Sequence, residues 1–171
     1  MRTMLLALLA ALGGGADEPT TTVVLEIDNV CGPDCIAILE TALGKIDGVR
    51  EAKMYGDKFH FRLVVLENKP FLPSSVVKVL DQIKQDSKGE TEFPLREFTA
   101  TLAGTVEKQG DAVTFVARGT GQKYSVKPHP ALTELMAAGR SKVTLTGIVA
   151  EEKDPKKPPS LEVSEATEAV K

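Results

Sequence analysis

The sequence predicts an α+β protein in two units, and three observations carry that prediction. Between Thr22 and Leu95, apolar residues alternate in some runs and recur at helical spacing in two others. From Glu97 onward the texture changes to strands rich in Thr, Val and Gly around one short helical stretch. Ahead of both lies an unbroken apolar run, Met4 to Leu12, that fits neither pattern.

That run follows a lone Arg2 and precedes Gly13-Gly14-Gly15-Ala16, the small residues a signal peptidase accepts. It is much shorter than the roughly 20 residues needed to cross a bilayer. Residues 1–16 are therefore expected to be a signal peptide cleaved near Ala16, with no membrane segment after cleavage. The mature chain is expected to be exported, periplasmic or secreted, where its cysteines meet an oxidising environment. The 171 residues, 42% hydrophobic and 26% charged, suit one or two small domains. A net charge of −3 gives no electrostatic reason to expect nucleic acid or an anionic membrane as partner.

In the first unit, Val23, Leu25 and Ile27 alternate with Val24, Glu26 and Asp28, which reads as a strand with one buried face. Pro33 suits the first position of a helix, where its missing N–H costs nothing. Ile36, Leu39, Leu43 and Ile46 carry the helix, and Gly44 and Gly48 end it. Val49 to Tyr55 and Lys58 to Leu66 read as strands across a Gly56-Asp57 turn, with Phe59, Phe61, Leu63 and Val65 on one face. Pro73 opens a second helix whose apolar face is Val76, Val77, Leu80 and Ile83, and an extended segment follows around Phe93 to Leu95. The order is βαββαβ, a ferredoxin-like unit over residues 22–95 with both helices on one side of the sheet. The other side, with Val24, His60, Arg62, Val64 and Leu66, is a surface the second unit could cover.

The second unit, residues 96–171, reads as strands Phe98–Lys108, Ala112–Arg118 and Gln122–Lys127, a helix Ala131–Ala138, then strands Ser141–Glu151 and Ser160–Glu165. Gly104 lies mid-strand, where a bend or bulge is expected. Three strands, a helix and two strands is the layout of a five-stranded OB-like β-barrel with one helix. Such barrels often take oligonucleotides, but from Glu97 the basic residues are matched one for one by acids. Only Tyr124 and Phe115 are available as stacking aromatics, so nucleic acid is not expected as a partner.

The chemistry lies in Val30-Cys31-Gly32-Pro33-Asp34-Cys35, which holds the only two cysteines of the chain. Cys35 falls in the first turn of the expected helix, where free N–H groups and the dipole favour a thiolate. Cys31 lies on the loop, and Gly32 lets it swing towards Cys35. Two thiolates suffice for Cu(I), whereas zinc wants four ligands. Three readings of the pair stand at this point: a metal site, a reversible or structural disulfide, and inert thiols. The loop is also a stretched relative of a thioredoxin-type CGPC, although Pro73 leads into a helix rather than the strand such a fold requires. His60, on the sheet face away from the loop, and His129, between two prolines, read as structural. There is no Ser/His/Asp order, carboxylate cleft or phosphate loop, so the chain is not expected to be an enzyme.

Residues 22–95 resemble the heavy-metal-associated (HMA) domain of copper chaperones and metal-pumping ATPases. The resemblance rests on the βαββαβ order, the cysteines after the first strand and the passage Leu43…Ile46-Asp47-Gly48-Val49. It implies metallochaperone-like binding of Cu(I), or another soft ion, by Cys31 and Cys35, and exchange with a protein of similar fold. Lys88, after the second helix, resembles by location a lysine that the chaperones keep near their metal. This loop departs from the family in having three residues between its cysteines and Val30 where a Met is usual.

Overall fold

The structure, a computed structural model, describes residues 20–56, 59–127, 129–154 and 156–169. The expected signal segment, residues 1–16, lies outside them, as do Asp57 of the expected Gly56-Asp57 turn and Lys58, the expected first residue of the strand after it. The described elements are β1 (Thr20–Ile27), α1 (Pro33–Leu43), β2 (Val49–Tyr55), β3 (His60–Leu66), α2 (Pro73–Asp86) and β4 (Leu95–Gln109). They continue with β5 (Ala112–Ala117), β6 (Lys123–Val126), α3 (Pro130–Ala137), β7 (Lys142–Ala150) and β8 (Ser160–Glu168). All three helices carry proline in their first turn.

β1 lies between β3 and β4, antiparallel to both, and β2 pairs with β3 at the outer edge. Alternation decides the faces. Val23, Leu25, Ile27, Phe61, Leu63 and Val65 are buried on one side, with Cys35, Leu39 and Leu43 of α1 and Val76 and Leu80 of α2. The opposite side is partly open: Arg62 is exposed, and Val24, His60, Val64 and Leu66 are half-buried. Part of the second unit meets that side, where Leu66 lines a small cavity with Ala103, Arg118 and Thr120. The second unit also continues the sheet, because one strand serves both.

That strand is β4. It pairs with β1 from Leu95 to Thr101, with β7 from Thr99 to Thr105, and with β5 from Gly104 to Gln109. The two segments expected from the sequence, around Phe93–Leu95 and Phe98–Lys108, are thus one continuous strand. A bulge hid this. Ile27 pairs with Leu95 and Glu26 with Glu97, which leaves Arg96 as the extra residue. Leu95 and Phe98 therefore share a face although three residues apart, and the alternation restarts after the bulge.

β4, β5, β6, β8 and β7 close into a five-stranded barrel through β4–β7, with β6–β8 the parallel seam. Its position after β6 lets α3 bury Leu132 against the barrel core. This closed barrel fits the expected OB-like layout. Gly104 sits where β4 passes from its partner β1 to its partner β5.

The two units share one hydrophobic cluster, with Phe71 and Phe98 rings 5.8 Å apart across the joint. Polar contacts fasten the joint. The Glu67 carboxylate, only 9% exposed, accepts from Arg118 Nε at 2.9 Å and Nη2 at 3.2 Å. Gly119 follows with a φ of 79°, and a Cβ there would run into the Glu67 carbonyl. Glu151, from the β7–β8 connection, accepts the Ser74 N–H at the start of α2.

Candidate functional site

The cysteine loop is built where β1 runs out. The Asp28 N–H donates to the Pro94 carbonyl at 3.0 Å, which ends the strand against the approach to β4. Asn29 then takes a left-handed conformation, φ 64°, which asparagine tolerates better than most residues. Its side-chain amide donates to the Glu92 carbonyl at 3.3 Å. Val30 packs on the core and Cys31 emerges exposed. Gly32 is the N-cap of α1 with φ 141° and ψ −160°, a region closed to residues with a Cβ. Its carbonyl accepts the Ile36 N–H at 3.0 Å, the first bond of the helix. With that entry into the helix, the Cα atoms of Cys31 and Cys35 lie 5.7 Å apart.

Cys35, the third residue of α1, heads the stripe Cys35, Leu39, Leu43 that faces the core, and it is 7% exposed. The two sulfurs are bonded at 2.05 Å. Of the readings open for the pair, the described form is the disulfide. Among the described residues no side chain caps α1, and Asp34 adds an exposed carboxylate to its first turn. The first turn of α1, in which Cys35 lies, thus carries the positive end of the helix dipole.

Lys88 lies exposed on the turn after α2, with φ 55°. The segment that follows it supplies the Glu92 and Pro94 carbonyls that hold Asn29 and Asp28. That places the post-α2 connection at the cysteine end of the sheet. His60 pairs in register with Glu26 near that end, on the face away from the helices. His129 stands at the N-cap position of α3 in the barrel, its Nδ1 buried and without a hydrogen-bond partner among the described residues. Among the described residues, no group of three or more His, Cys, Asp or Glu side chains is placed to hold a metal. Nor is any helix among them long and apolar enough to cross a membrane.

The barrel's two aromatic candidates for stacking are interior. Phe115 and Tyr124 are both buried, their rings 6.2 Å apart, and burial pushes the Tyr124 phenol up to about 12. Sequence reasoning missed Glu67, Arg118 and Glu40 as structural groups. Glu67 left one faint trace, a carboxylate directly after the apolar run of β3, whereas its partner lies 51 residues on. Neither a scan against protein-family models nor a search of curated proteins finds a match to this chain.

Proposed function

We propose that the chain is an exported, non-enzymatic protein that binds a soft monovalent ion of the Cu(I) type on an HMA-like, ferredoxin-like unit. Cys31 and Cys35 hold the ion in their reduced form, and the OB-like barrel serves as partner- or substrate-binding module. The observation that carries this reading is the convergence of both sulfurs at the start of α1, directly after β1. Two thiolates match the near-linear preference of Cu(I). The bridge must first take up two electrons and two protons from a reductant such as a dithiol. Once open, Gly32 lets Cys31 back away from Cys35 to admit the ion.

The decisive measurement is a Cu(I) titration of the reduced mature protein against a calibrated chelator. One-to-one binding that is lost in Cys31→Ser and in Cys35→Ser supports the reading. Reduced wild type that binds no better than background sinks it.

A second reading is favoured by the bond itself and by the burial of Cys35. It makes the unit an interaction module whose loop is stapled rather than metallated. The chain-entropy view gives so short a closed loop a stabilisation of about 2 kcal/mol. Reduction without metal would then lower the unfolding midpoint, and intact mass before and after alkylation reports the bridge. A midpoint indifferent to reduction would count against a structural staple.

A further inference from the structure

We propose that the Cys31–Cys35 bridge is a thiol-exchange site of fixed polarity, opened by an external thiolate at Cys31 with Cys35 as the leaving sulfur. This goes beyond the metal reading and does not depend on it. The two ends of the bond differ in their surroundings. Cys31 is exposed on the loop before the helix, whereas Cys35 sits in the core stripe of α1. An attacking thiolate must approach one sulfur along the S–S axis, from the side opposite the other. From solvent that line leads to Cys31 and pushes the leaving electrons inward, onto Cys35.

The leaving side is also the side prepared for charge. Cys35 lies in the first turn of α1, which carries no side-chain cap among the described residues, so the positive end of the helix offsets part of the cost of releasing a thiolate on this buried sulfur. A better-stabilised thiolate leaves faster. The Asp34 carboxylate in the same turn subtracts from this. Gly32, between the two cysteines, supplies the hinge about which Cys31 swings out once the bond is cut.

The exchange balances with a dithiol as co-reactant. Its first thiolate forms a bond to Cys31 Sγ as the Cys31–Cys35 bond breaks, and the electron pair goes to Cys35. The dithiol's second thiolate then displaces Cys31, leaving two protein thiols and an oxidised partner. Two electrons and two protons pass to the protein.

The test traps the intermediate on the oxidised, full-length chain with glutathione as probe. Samples are quenched in acid within seconds, their free thiols alkylated, and the chain cut before Asp34 so that the cysteines fall on separate peptides. Glutathione on Cys31, with alkylated Cys35, is expected in about tenfold excess over the reverse adduct. An even distribution, or an excess on Cys35, overturns the proposal. So does a bridge that stays closed at thiol concentrations that fully exchange an exposed reference disulfide.

Discussion

Glu40 shows how one side chain can protect an exposed edge. β2 is the outermost strand of its end of the sheet, and free strand edges invite pairing with other chains. The Glu40 carboxylate, reaching over from α1, accepts the Met54 N–H at 2.9 Å and holds Lys53 Nζ at 3.0 Å. The Met54 N–H first, and Lys53 after it, keep the carboxyl below its ordinary value of 4.5. A carboxyl whose pKa is lowered by folding stabilises the fold above its unfolded value, and that contribution fades as the pH falls through the folded value. Replacement Glu40→Gln should therefore cost about 1 kcal/mol near pH 7 and almost nothing in strong acid, read from urea midpoints at both. An equal cost at the two pH values would refute this role. At this scale the cysteine pair was legible in the sequence because the chain has no other cysteines. Glu40 was not, since its partner is a backbone N–H that reaches it only after α1 has docked.

Among the elements, α2 depends on a residue far from it in sequence. Its N-cap is Leu72, which offers no side-chain acceptor, and Pro73 follows. The Glu151 carboxylate supplies the missing acceptor from 77 residues away and also meets the positive end of the helix. Glu151→Ala should lower stability by about 1 kcal/mol, while Glu152→Ala on the same loop should leave the thermal midpoint unchanged. Equal effects from both would mean that surface charge, not capping, is at work. The helices and most strands were legible because their signal is local: apolar period, proline at the start, glycine or polar residues at the end. β4 was the exception. Its bulge at Arg96 breaks the alternation, so one strand reads as two until its pairing with β1 is known.

For the whole molecule, the shared strand and the common apolar cluster predict that both units unfold together, in one cooperative transition. Two separated calorimetric transitions would contradict that. The Glu67–Arg118 pair adds a sharper test. Arg118→Ala strands the buried Glu67 carboxylate and should cost about 2 kcal/mol, whereas the double change Glu67→Leu/Arg118→Ala should recover much of it. Both the order of elements and the change of texture near residue 96 follow from local patterning, as does the address of the cysteine loop after β1. Those are properties of short windows, and the sequence by itself determined them. What only the tertiary structure decided involves partners distant in sequence. Closure of the barrel joins β4 to β7 across some forty residues, and the sheet continues from one unit into the other through β4. The bonded state of the cysteines was likewise undecided by spacing alone. It depends on the path of the loop, which the Asn29 bond to the Glu92 carbonyl and the positive φ of Gly32 help to set and which leaves the two Cα atoms 5.7 Å apart.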